Sequence, residues 1–177
     1  MKKFLTILFL MIVCFVQAQK SLSEPAKGFV FPLGSKFVLK LVPIDSVNYE
    51  CSVMSFEPFE EIVDTWGNNE LFSEEGEENT ILFYFCLGTS GETEQERKNN
   101  MKVLLLMKNF SKEKDRLFYT SEIQLKKNGK FQPTSNVGTY PNVKTVEMWS
   151  YMIYSIGLKE FRKTMAVTQT KSKQKKT

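Results

Sequence analysis

The chain of 177 residues contains no histidine. This removes the side chain whose ordinary pKa lies nearest neutrality, and with it the usual general base and the commonest neutral metal ligand. Ser-His-Asp and Cys-His catalysis are therefore excluded, as are His-containing zinc sites. Cysteine is scarce as well: Cys14, Cys51 and Cys86 are the full set. Three cysteines cannot form a four-cysteine zinc site, and none of them stands in a C-x-x-C pair. Gly88-Thr89-Ser90-Gly91 is glycine-rich, but it lacks the Lys-Ser/Thr ending and the following helix of a phosphate loop, so it reads as an ordinary loop. Beyond residue 16 no apolar run reaches the roughly 20 residues that a membrane-spanning helix needs.

What is present begins with an export signal. Met1-Lys2-Lys3 is a short positive start, and from Phe4 to Val16 every residue except Thr6 is apolar. That length fits the hydrophobic region of a secretory signal peptide. Val16-Gln17-Ala18 supplies the cleavage site, so residues 1–18 are expected to be removed and the chain to be periplasmic or secreted. Cys14 lies inside the apolar run, between Val13 and Phe15, which does not suit a lipid-modified cysteine. Outside the cytoplasm the remaining pair, Cys51 and Cys86, becomes a candidate disulfide. Closing that loop of about 36 residues would stabilise the fold by roughly 4 kcal/mol in the chain-entropy view.

Charge is unevenly spread. Removing Lys2 and Lys3 takes the basic count from 24 to 22, against 20 acids, a net charge of +2. From Lys159 onward there are seven basic residues and one acid, so this end is +6 and residues 19–158 carry −4. A nucleic-acid binder is basic over its folded domain, and this chain is not. The basic residues of 163–177 are expected to form a disordered tail able to meet an anionic surface. Residues 19–27 are polar and expected to be flexible.

Between these ends the hydrophobic period is mostly two. Phe37, Leu39 and Leu41 share one face, and Val47, Tyr49, Cys51 and Val53 share another, as in half-buried strands. Ile81 to Leu87 is a continuous apolar run, the pattern of a central strand buried on both faces. Met101 to Met107 is a further apolar strand, and Leu117 to Leu125 alternates. Asn128-Gly129 then marks a hairpin, and Pro133 limits the return strand to a short or edge position. Phe59, Ile62, Val63 and Trp66 recur at helical spacing after Pro58, which predicts a short amphipathic helix ending at Gly67. Residues 143–157 fit either period: Val146, Trp149, Ile153 and Ile156 have helical spacing, yet the stretch is rich in strand formers.

The fold class expected from this pattern is mainly β: one domain over residues 28–162, an antiparallel β-sandwich with one short helix. The order Cys51, Trp66, Cys86 is that of immunoglobulin-like sandwiches, but the second cysteine comes too early and Trp66 closes a predicted helix, so no family is assigned. No cofactor is implied. Trp66, Tyr140 and Trp149, with Tyr151 and Tyr154, are the candidate partner-binding aromatics. The acidic stretch from Glu57 to Glu78 has no calcium-loop spacing and reads as a solvated surface. The expected function is that of an exported, non-enzymatic module binding a protein or glycan of the cell envelope. The alternatives are a glycan-acting enzyme using carboxylates alone, and an inhibitor or structural subunit whose sheet another chain completes.

Overall fold

The computed structural model describes residues 24–72, 75–112 and 116–163. The expected leader, residues 1–18, lies outside this range, as do residues 19–23 and all of the expected tail except Lys163. Among the described residues ten strands form a single sheet: β1 (Gly28–Pro32), β2 (Ser35–Pro43), β3 (Asn48–Pro58), β4 (Val63–Asp64), β5 (Thr80–Thr89), β6 (Lys102–Asn109), β7 (Leu117–Gln124), β8 (Phe131–Thr134), β9 (Lys144–Trp149) and β10 (Ser155–Lys163). Their order is β8-β7-β10-β3-β2-β5-β6-β9, with β1 added to β10 and the short β4 running parallel to β5. All other pairings are antiparallel. The architecture is mainly β and antiparallel, as expected from the sequence, but the strands form one continuous sheet curled into a half-barrel in place of a clear stacked pair.

The curl follows from where the apolar side chains lie. Phe37, Leu39, Ile81, Phe83, Phe85, Val103, Leu105 and Met107 belong to one cluster on the inner face, met by Tyr119, Ile123, Ile156, Leu158 and Phe161 from the other limb. Phe31 stacks on Phe37 and Phe37 on Phe83, with ring centroids 3.6 and 4.9 Å apart. The alternate residues of β5 and β6, Leu82, Tyr84, Cys86, Leu104 and Leu106, form a second cluster on the outer face with Val63 and Phe72. These two strands are thus buried on both sides, which explains their unbroken apolar runs.

The predicted helix over Phe59–Trp66 does not form. Phe59 and Val63 pack onto the outer face, whereas Ile62 and Trp66 point to solvent. Val63 and Asp64 pair with Gly88 and Thr89 as β4, and a 3-10 turn, Asn69–Phe72, continues the cover. The Asp64 side chain accepts hydrogen bonds from the Trp66 and Gly67 amides, a local competitor of helical bonding. The single α-helix among the described residues, α1 (Glu94–Asn99), lies in what reads as a polar loop, after the glycine-rich stretch. Thr93 and Glu96 form a reciprocal capping box there, a signature present in the sequence as Thr-x-x-Glu.

Two further features shape the half-barrel. β10 pairs with β7 on one side, and on its other side with β1 over residues 155–159 and β3 over 161–162. The change of partner coincides with a register shift at Glu160, which has φ of 56°. Its amide donates to the Lys27 carbonyl at 3.0 Å, and its carboxylate accepts from the Thr120 hydroxyl at 2.7 Å. At the open side, β8 and β9 are joined by side chains and by the 135–143 crossing instead of a strand ladder. The Trp149 indole N–H donates to Thr134 Oγ1 at 3.2 Å, and the Val137 amide to Glu147 at 2.6 Å. Thr139 exchanges both backbone bonds with Leu117. Burial pushes the Glu147 carboxyl above the ordinary range, opposed by the Val137 N–H and by Arg116. The Asn-Gly hairpin is present, with Asn128 at φ 61° and Gln124 facing Phe131. β8 is the short edge strand that Pro133 requires.

The candidate disulfide is absent. Cys51 belongs to the inner cluster and Cys86 to the outer one, so the sheet itself separates two free, buried thiols. Burial pushes each thiol up to about 12, with Glu50 adding to the effect at Cys51. A thiol held above its unfolded value favours the folded state fully below pH about 9, and that contribution drains away as pH climbs toward 12. We expect a thiol reagent to find neither cysteine in the native protein near neutral pH and both after unfolding. A reductant should leave the melting temperature unchanged. A fall of several degrees on reduction would show that the two sulfurs are bonded.

Candidate functional site

Register places several connections at one end of the half-barrel. Pro32 faces Ser155, Ser155 faces Gln124, and Ser35 faces Phe85. The β1–β2 turn, the β7–β8 hairpin and the β9–β10 turn therefore meet there. They enclose a cleft of about 560 Å³ lined by Pro32, Leu33, Gln124, Lys127, Met152 and Tyr154, with Asn128 and Ser155 completing it. The volume falls within the roughly 300–1,000 Å³ usual for ligand pockets.

Tyr154 is held by its neighbours and by its backbone. Ile153 and Ile156 are fully buried in the inner cluster, which pins the turn on both sides of it. Its amide donates to the Gln124 carbonyl at 2.8 Å, and its carbonyl accepts from the Leu33 amide at 2.9 Å. Gly34, at φ of 83°, makes the tight exit from β1 that brings Leu33 into range. The phenol ring is thus presented outward, 45% exposed, and lines the cleft together with the exposed Met152. Gln124 is also fixed, its side-chain amide donating to the Gly129 carbonyl at 2.6 Å. The hairpin adds Lys126, Lys127 and Lys130, all exposed. Among the described residues these lysines form no ion pair, and no acid lines the cleft.

Trp66, Tyr140 and Trp149 do not share a groove. Trp149 is 8% exposed and its indole N–H is engaged at the open side. Tyr140 is exposed at the opposite end from the cleft, where the Arg116 guanidinium lies 5.3 Å from its ring centroid. Trp66 is 68% exposed on the turn that follows β4. That turn is firmly braced. Asn68, fully buried, donates to the Asp64 and Thr65 carbonyls at 2.8 and 3.0 Å and accepts from Lys144 Nζ at 2.8 Å. The Gly67 amide, then that of Trp66, holds the Asp64 carboxyl below the ordinary carboxylate range. Of the sequence candidates, only Tyr154 lines the cleft; Tyr151 is exposed three residues before it. Met152, Leu33 and the hairpin lysines carry no local signal of a site, because three sequence-distant turns supply them.

A second depression, about 330 Å³, lies on the outer face between β3 and residues 75–80 and is lined in part by Glu57, Glu75 and Glu77. Glu57 is bonded to Lys36 at 2.9 Å and Glu77 to Lys40 at 2.5 Å. Lysines already engage two of the three carboxylates, whereas glycoside hydrolysis needs a pair facing substrate. Among the described residues no group of three His, Cys, Asp or Glu is placed to hold a metal ion. No helix among them is long and apolar enough to cross a membrane. No protein-family model, curated protein or solved structure matches the chain.

The two tryptophans provide a direct readout of this geometry. Trp66→Phe is expected to leave a blue, poorly quenched emission from Trp149, and Trp149→Phe a red emission that acrylamide quenches readily. The reverse pattern would invert the assignment. Asn68→Ala strips the Asp64 and Thr65 carbonyls of a donor and removes one of the two amide acceptors of Lys144 Nζ, and should lower stability by about 2 kcal/mol in denaturant titration.

Proposed function

We propose that this chain is an exported, non-enzymatic binding module of the cell envelope, engaging a protein or glycan partner through the loop end of its half-barrel. The observation that carries the reading is the cleft around Tyr154. Aromatic, methionine and amide side chains converge there on backbone held by hydrogen bonds to two other turns. Presenting several large apolar groups to water is unfavourable unless a partner covers them, and a pre-set backbone lowers the ordering entropy of binding. The leader-like sequence of residues 1–18 and the lack of histidine chemistry support the compartment and the non-enzymatic role.

Two measurements test this. The mass of the chain recovered after expression with its leader should correspond to a start at Gln19. A photo-crosslinking residue at position 154 should capture protein or glycan material in the envelope, while the same residue at Val30, exposed on the outer face of β1, should not. A chain retaining Met1 inside the cell, or equal capture at both positions, would refute the proposal.

A further inference from the structure

We infer that the cleft at the loop end takes an anionic saccharide. The inference rests on the cleft being the binding surface, and it adds the chemistry of the ligand. Three properties of the lining converge. Tyr154 and Met152 offer an exposed apolar surface with one flat face, suited to the C–H side of a sugar ring. Gln124, Asn128 and Ser155 bring amide and hydroxyl groups to the same space. These match ring hydroxyls, which both donate and accept. The charge at the cleft is of one sign. Lys127 lines it, Lys126 and Lys130 flank it on the same hairpin, none of the three forms an ion pair among the described residues, and no carboxylate lines the cleft. A ligand filling this space is therefore favoured if it carries carboxylates or similar anions on a hydroxyl-rich frame.

An acidic peptide shares the charge but not the rest. Main-chain recognition of an extended peptide needs free backbone donors and acceptors along an edge. Here the Leu33 amide and both backbone groups of Tyr154 are already used between the turns, and the Gly129 carbonyl accepts from Gln124. The cleft offers a side-chain surface more than a strand edge.

The test is a calorimetric titration of the purified chain with three probes: a galacturonic acid hexamer, a glucose hexamer and a hexaglutamate peptide. The galacturonate should bind most tightly, by about tenfold over each of the others, and should weaken as salt rises. Tyr154→Ala should reduce that affinity about tenfold, while Tyr154→Phe, which keeps the ring, should retain it. Lys127→Gln should weaken binding and flatten its salt dependence. Circular dichroism should show each variant folded as the parent. If the glucose hexamer or hexaglutamate binds as well as the galacturonate and depends on Tyr154, the ligand class is wrong and the cleft remains the binding surface. Galacturonate binding that ignores Tyr154→Ala, or no binding by any probe, also overturns the inference; crosslinking at position 154 then decides separately whether the end of the half-barrel is used at all.

Discussion

The double burial of β5 and β6 is the constraint from which the rest of the architecture descends. A strand apolar on every residue must be covered on both faces. The inner cover comes from the curl of the sheet, which brings β7 and β10 over Phe83, Phe85 and Leu105. The outer cover has to come from elsewhere in the chain, and residues 59–72 supply it, laying Phe59, Val63 and Phe72 against Leu82, Tyr84 and Leu104. Phe59 and Phe72 both meet the Tyr84 ring edge-on, and the Tyr84 hydroxyl donates to the Leu71 carbonyl at 2.9 Å. The cover is thus tied down at both its ends, and the exposed Trp66 is the apex between them.

That demand also explains where reading the sequence succeeded and where it could not. Strands with clean alternation, such as Leu117–Gln124, and the apolar run Ile81–Leu87 declare themselves because their burial follows from their own composition. The Asn128-Gly129 hairpin does so through turn chemistry. The segment Phe59–Trp66 misleads because spacing at i and i+4 also suits an irregular strap that touches the sheet at Phe59 and Val63. Only the presence of an uncovered outer face decides between the two, and that is a property of other strands. Single sheet against stacked pair is likewise invisible locally, since both need the same alternation. The glycine-rich stretch illustrates the reverse case: the Thr93-x-x-Glu96 box announces a helix that polar composition hides. Cys51 and Cys86 look like partners in sequence, and only their opposite faces on the sheet part them.

The cleft was legible only in fragments. Tyr154 stands out as an aromatic, and the Lys-Lys-Asn-Gly-Lys hairpin stands out as a turn. Their meeting depends on β10, which takes β7 on one side and β1 on the other and so draws three turns to one end. The left-handed Glu160, roughly 1–2 kcal/mol unfavourable on its own, lets the same strand pass from β1 to β3 without breaking. Its amide bond to Lys27 and its carboxylate bond to Thr120 offset that strain locally.

The open side of the half-barrel has a different consequence. Everywhere else neighbouring strands are zipped by backbone rungs, which separate only in concert. Between β8 and β9 the stitching is Trp149 to Thr134, Glu147 to Val137 and the single crossing of residues 135–143. Such stitches release one at a time, and burial already disfavours the charged form of the Glu147 carboxylate that makes one of them. The open side of the half-barrel is therefore held without the cooperativity of a strand ladder, the kind of seam at which local opening begins.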